Sequence, residues 1–174
     1  MRLLAISGSL RAASSNTTLL KAAQLVAPQG MEIELYDGLG SLPHFNSDLD
    51  VEPLPPTVAD LRARIAAADG LLISSPEYAR GVPGSLKNAF DWLVSGPEFP
   101  EKPIAFFNAS DRSLNAQTAL RLTLETMSGR MVDEAMVTVR LLGKMQTAEE
   151  IANDPEIAGM LRVALVAFAK VVVK

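Results

Sequence analysis

Short apolar runs alternate with stretches of helical spacing along the whole chain. Leu3-Leu4-Ala5-Ile6, stopped by Ser7-Gly8-Ser9, predicts a strand buried on both faces. Leu19, Ala22, Ala23 and Val26 then share one face of a helix over 17–26. Met31 to Tyr36 alternates with period two and reads as a strand nearer the sheet edge. Val58, Leu61, Ile65 and Ala68 predict a helix over 57–68, which Asp69-Gly70 ends before a central strand, Leu71 to Ser75. Leu86, Ala89, Phe90 and Leu93 mark a third helix, and Ile104 to Phe107 a fourth strand. Ala116, Leu120, Thr123, Leu124 and Met127 mark a fourth helix, with Gly129 as its C-terminal stop. Met136 to Leu142 is expected as the fifth strand. Thr147 and Glu150 have capping-box spacing for a short helical turn. Asp154-Pro155-Glu156 then opens the last helix, with Ile157, Leu161, Ala164, Leu165 and Phe168 inward.

Strands alternating with helices imply an α/β fold: a parallel sheet with helices on both faces, in three layers. The right-handed crossover rule leaves few windings, and a doubly wound five-stranded sheet of order 2-1-3-4-5 is the expected one. Strands 1 and 3 then lie side by side where the winding reverses. Ligands bind outside the carboxyl ends of the strands there, so the loops 7–16, 76–84 and 108–115 are expected to face one crevice. Residues 1–174 read as a single domain without repeats. The long connection 37–56, with Pro43, Pro53, Pro55 and Pro56, is long enough to suggest a functional or interaction segment.

The first of those loops carries the clearest chemistry. Ser9, Arg11, Ser14, Ser15, Asn16 and Thr17 supply hydroxyls, an amide and a guanidinium at a helix N-terminus. Free backbone N–H groups and the helix dipole favour an anion there, a phosphate above all. Serine and asparagine also cap helices without any ligand; the arginine, and the lack of a carboxylate in the loop, favour the anion site. The second loop, Pro76-Glu77-Tyr78-Ala79-Arg80-Gly81, is stiffened by proline and bared by glycine. It suits a flat heterocycle held by backbone groups and covered by Tyr78, or else a structural turn that packs its tyrosine.

Composition narrows the classes. Apolar residues make up 48% and charged residues 21%, with a net charge of −4 and no basic stripe, which disfavours nucleic-acid binding. The absence of cysteine excludes disulfides and thiol catalysis and fits a reducing compartment. No apolar run approaches membrane-spanning length, and the start lacks a leader pattern, so a cytoplasmic protein is expected. No His, Asp or Glu grouping has metal-ligand spacing. His44, the only histidine, reads as structural or interfacial, Lys87 and Asp91 as a solvated pair, Trp92 as helix packing or a subunit contact, and the seven methionines as core filler.

Several motifs together resemble the NADPH-dependent FMN reductase family, the flavodoxin-like group that includes chromate, quinone and azo-dye reductases. They are Gly8-Ser9-Leu10-Arg11-x-x-Ser14-x-Asn16, Leu42-Pro43-x-Phe45-Asn46-x-Asp48, Ala68-Asp69-Gly70 leading to Pro76-Glu77-Tyr78, and Val82-Pro83-Gly84-x-Leu86-Lys87-Asn88-Ala89-x-Asp91-Trp92. The resemblance implies that Ser9, Arg11, Ser14 and Asn16 hold the FMN phosphate, and that Pro76, Glu77 and Tyr78 follow the ribityl chain and ring. It departs at Ala79, where the family usually has Asn, and in the loop after strand 4, commonly Gly-rich but here Asn108-Ala109-Ser110-Asp111-Arg112-Ser113. Ser110 or Arg112 is the candidate for the flavin's pyrimidine edge, with Arg112 able to offset negative charge near N1 of reduced flavin.

The implied activity is an FMN-dependent oxidoreductase that takes electrons from NADPH or NADH and gives them to a quinone, azo compound, chromate or similar acceptor. No protein acid or base is required for catalysis, since the flavin carries the chemistry. A homodimer or homotetramer is implied as well, with residues 42–56 and the helix carrying Trp92 as contacts. Two other readings stand beside it: a flavodoxin-like electron carrier without reductase activity, and a flavin-free binding module of the same fold.

Overall fold

The computed structural model describes residues 1–141 and 146–172. Its strands are β1 (Arg2–Ser7), β2 (Glu32–Tyr36), β3 (Gly70–Ser74), β4 (Pro103–Asn108), β5 (Arg130–Met131) and β6 (Val137–Thr138). Its α-helices are α1 (Ser15–Leu25), α2 (Pro56–Ala67), α3 (Gly84–Asp91), α4 (Leu114–Thr126), α5 (Ala148–Asn153) and α6 (Pro155–Val172). The sheet is parallel with order β2-β1-β3-β4-β5, as expected, and β6 also pairs with β4.

Side chains alternate across the sheet, so each central strand feeds two cores. Leu3 and Ala5 of β1 point into a cluster completed by Leu19, Leu20 and Ala23 of α1, Ile151 of α5 and Leu161, Leu165 and Phe168 of α6. Leu4 and Ile6 point the other way, towards Leu61 and Ile65 of α2, Leu86 and Phe90 of α3 and Leu120 and Leu124 of α4. That double burial is why β1, β3 and β4 are continuous apolar runs.

Of the expected fifth strand over 136–142, only β6 (Val137–Thr138) forms, and the strand beside the start of β4 is an earlier one, β5 (Arg130–Met131), which the sequence reading did not include. β5 pairs with Pro103 and Ile104, β6 with Phe107 and Asn108, and a 3-10 turn over Asp133–Ala135 lies between them. The turn lets the charged Asp133 and Glu134 stay exposed while Val132, Ala135 and Val137 remain buried. Val139 and Leu141 then donate N–H bonds to the carbonyls of Asn108 and Ala109, and Leu142 lies outside the described residues.

Two smaller expectations need correction, and a third, the two-way reading of Trp92, resolves to packing. Ile157 is only half-buried, and Ala158 takes its place in the α6 core face. Met1, Met31, Met127, Met131 and Met136 rim the cores rather than fill them, Met160 is exposed, and Met145 lies outside the described residues. Trp92 is fully buried within this chain, so it packs internally and offers no surface to a subunit contact.

That tryptophan helps to dock the long connection. Its Nε1–H donates to the Pro43 carbonyl at 2.8 Å, and Phe45 meets its ring edge-on with centroids 5.1 Å apart. Asn88 of α3 donates to the same carbonyl at 2.9 Å and accepts the Phe45 N–H at 2.7 Å. Further along, Arg62 of α2 ties Asp50 at 2.9 Å to the Ser95 hydroxyl and the Trp92 carbonyl. Residues 37–55 are thus a tethered strap, and the Leu42-Pro43-x-Phe45 and Asn88-x-x-x-Trp92 motifs are two halves of one clamp. Lys87 and Asp91 form the expected exposed ion pair.

Candidate cofactor site

β1, β3 and β4 end in Ser7, Ser74 and Asn108, all buried and polar, beneath the three loops that follow them. A layer of hydrogen bonds organises these ends. Ser7 Oγ and Thr17 Oγ1 are 2.8 Å apart, Ser74 Oγ donates to Asn16 Oδ1 at 3.0 Å, and Asn108 Nδ2 donates to Thr138 Oγ1 at 3.2 Å. With its oxygen engaged by Ser74, Asn16 keeps its amide N–H donors for the cavity above.

That cavity holds about 320 Å3 and is lined by the first loop and its helix (Ser9, Arg11, Ser14, Ser15, Asn16), by Pro76, Glu77 and Tyr78, and by Ala109, Ser110, Arg112 and Ser113. The volume falls at the lower end of the range of small-ligand pockets. The three loops expected to share a crevice therefore do share one. Ala79, Arg80 and Gly81, also expected at the site, do not line it. They form the turn beyond Tyr78, closed by Tyr78 N–H to the Gly81 carbonyl at 3.1 Å and Gly81 N–H to the Tyr78 carbonyl at 2.9 Å. The left-handed residues of this turn are Ala79 (φ 50°) and Arg80 (φ 61°), not the glycines. Such a turn normally recruits Asn-Gly, so the alanine and arginine here carry backbone strain beside the site.

The first loop divides its polar groups between helix and cavity. Ser14 is the N-cap of α1, its Oγ accepting the Thr17 N–H at 3.4 Å while its carbonyl accepts the Thr18 N–H at 2.9 Å. Ser15 and Asn16 follow it in the first turn, where helix geometry gives their N–H groups no carbonyl partner. No acidic residue occupies that turn. Arg11 and Arg112 form no salt bridge among the described residues. Free amide donors, hydroxyls and two uncompensated guanidinium groups are the chemistry that a phosphorylated, ring-bearing ligand requires, so FMN fits the residues present.

Glu77 is the exception in this cationic wall. Its carboxylate turns to α4, accepting the Ala116 N–H at 2.9 Å and the Asn115 Nδ2–H at 3.2 Å. The Ala116 bond in particular, with Asn115 and the nearby Arg80 charge, holds its pKa below the ordinary carboxylate value. Two lining residues, Ala109 and Ser113, were not singled out from the sequence. Ser113 stands at the N-cap position of α4, and a serine preceding an apolar-periodic segment is the signal that marks it.

The model of the NADPH-dependent FMN reductase family matches residues 1–141. The chain belongs to that family. It is 43% identical over 129 residues to the NAD(P)H-dependent FMN reductase of Pseudomonas aeruginosa, covering 71% of this chain and 69% of that one. It is 36% identical over 106 residues to the quinone reductase of Escherichia coli, covering 60% of this chain and 55% of that one, so the aligned stretch spans little more than half of that relative. Among solved structures it resembles FerB, a flavoenzyme NAD(P)H:(acceptor) oxidoreductase from Paracoccus denitrificans, with a TM-score of 0.74 and 28% identity over 97% of both chains. The likeness to FerB extends over the whole flavodoxin-like sheet described above, and no helix among the described residues is long and apolar enough to cross a membrane.

Proposed function

We propose that this FMN reductase homologue carries electrons from NADPH or NADH through bound FMN to a quinone or a similar small acceptor, such as an azo compound or chromate. The redox chemistry is that of the flavin when bound: two-electron reduction by the nicotinamide nucleotide and reoxidation by the acceptor. The chain's own residues bind and orient. Arg11, the Ser9 and Ser15 hydroxyls and the amides of Ser15 and Asn16 hold the phosphate, with Ser14 keeping the helix end in shape. Pro76 to Tyr78 and Ser110 to Arg112 take the rest of the molecule, Arg112 supplying positive charge that favours the reduced, anionic form. Glu77 is committed to α4, so no lining carboxylate is free to act as an acid or base, which suits chemistry that resides on the cofactor.

The observation that carries this reading is the shared cavity: one loop rich in anion donors and two further loops open into it above β1, β3 and β4. The test is direct. Purified protein is expected to bind FMN and to oxidise NADPH on addition of a quinone; binding without turnover would make it a carrier. Arg11→Ala is expected to weaken FMN by about 1.5–3 kcal/mol, the range for a charge-assisted contact. Equal affinities in an FMN titration would refute this phosphate placement.

A cytoplasmic homodimer or homotetramer completes the reading. The support for the assembly is the strap over residues 37–55, which is tethered by the clamp yet presents Phe45, Leu49 and Val51 to solvent. Light scattering is expected to give two or four chains; a monomer at micromolar concentration contradicts the assembly.

A further inference from the structure

The start of α4 is capped from outside. Ser113 occupies the N-cap position but makes no side-chain bond to the helix, and its φ of −91° and ψ of 38° lie away from the extended cap conformation. The Gln117 N–H goes to the Ser113 carbonyl at 3.0 Å, so the helix begins normally after that point. The Ala116 N–H, the donor an N-cap side chain ordinarily satisfies, is instead bonded by Glu77 from the neighbouring loop at 2.9 Å. Asn115 adds a second bond to the same carboxylate at 3.2 Å. One side chain thereby joins two loops that wall the same cavity: Pro76-Glu77-Tyr78 on one side and Ala109-Ser110-Arg112-Ser113 on the other.

The consequence bears on the loop after β4, which has no glycine and so cannot bring bare backbone close to a ring. Within the loop the Ser110 Oγ accepts the Arg112 N–H at 3.0 Å, and Asp111 pairs with Arg140 at 2.8 Å; the Glu77 carboxylate is what ties its far end to the loop after β3. We propose that Glu77 is a positioning residue for the cofactor, its ionised carboxylate bracing the loop after β4 against the loop after β3 and so setting the width of the ring-binding half of the cavity. This rests on the FMN reading of the site. An anion at a helix N-terminus gains from both the N–H groups and the dipole, and the same bond would be weaker and half-filled with a neutral amide in its place. The charged neighbours are few: Arg80, on the same loop, acts on Glu77 favourably, and Arg11 and Arg112 line the same cavity.

The proposal separates from a purely structural cap through the choice of flavin. Riboflavin lacks the phosphate, so it reports on the ring end alone. Kd values for FMN and riboflavin are measured by flavin fluorescence at pH 7.5 and 10 °C. The proteins are wild type, Glu77→Gln and Arg11→Ala, with near-ultraviolet circular dichroism confirming that each is folded. Glu77→Gln is expected to weaken both flavins by the same factor, about tenfold or more, as loss of a charge-assisted bond implies; Arg11→Ala is expected to weaken FMN alone. Hydrogen exchange at the Ala116 amide is expected to accelerate in Glu77→Gln. Unchanged affinity for both flavins in Glu77→Gln overturns the bracing role even if exchange accelerates, since a cap that only stabilises α4 gives that result. A loss confined to FMN also overturns it. Wild-type protein that binds neither flavin brings down the cofactor reading instead, a distinct failure.

Discussion

Tyr36 closes β2 with its ring buried and its hydroxyl without a hydrogen-bond partner among the described residues. Burial is the main reason its pKa is pushed up to about 12, Asp60 and Asp37 adding to the rise while Arg64, 5.9 Å from the ring centroid, opposes it. The neighbouring Gly38 leaves room for that hydroxyl: a Cβ there would sit 2.5 Å from it. A buried donor with no acceptor contributes nothing to stability and carries a desolvation penalty. Tyr36→Phe is therefore expected to keep or raise the thermal midpoint at pH 7, and a clear fall in calorimetry would mean that the hydroxyl is bonded after all. The alkaline limb gives the sign of the linkage. The unfolded chain releases the phenol proton near 10 while the folded one holds it to about 12, so wild type loses stability as pH rises through that window and the Phe variant lacks that loss. None of this was legible in the sequence, where Tyr36 is simply the last residue of an alternating strand.

Among the elements, the strap over 37–55 shows what sequence reading captures and what it leaves out. Its length and prolines point to a segment with a task, and the Pro43 motif and the Asn88 and Trp92 motif are each visible in the sequence, but not their pairing. That one carbonyl, on Pro43, collects both side-chain donors is a matter of tertiary placement. Asn88→Ala removes two of these bonds and leaves the Phe45 N–H unanswered. The expected loss is about 2 kcal/mol, a fall of roughly 4–8 °C in melting temperature for a chain of this size. A variant melting with wild type would mean that the clamp is dispensable. The end of α4 teaches a similar lesson. Gly129 reads as the left-handed stop, yet Ser128 takes φ 63°, its N–H bonding the Glu125 carbonyl at 2.9 Å while the Gly129 N–H reaches Leu124 at 2.8 Å. Gly129 is demanded by crowding instead, since a Cβ there would lie 2.8 Å from Ile104 Cδ1 and 3.0 Å from the Leu124 carbonyl. Helix-stop chemistry is local and readable; which of two adjacent residues bears it depends on the strand packed beneath.

At the scale of the molecule, the alternation of apolar runs with helical faces was enough to derive the layers and the sheet order, because burial on two faces forces continuous hydrophobic strands. The same pattern located the three loops at one end. It did not foresee that Glu77 is turned to α4, or that the turn beyond Tyr78 leaves the cavity, because both depend on how neighbouring loops satisfy each other's backbone. The broken border beyond β4 has a consequence of its own. A sheet that ends in a long, flat strand invites another polypeptide to add on, the first step of aggregation. Here one margin is two paired dipeptides separated by a charged bend, and the other, β2, carries Glu32 and Glu34. The first margin is interrupted and the second carries carboxylates along its open strand, so an added strand meets a break at one flank and charge at the other.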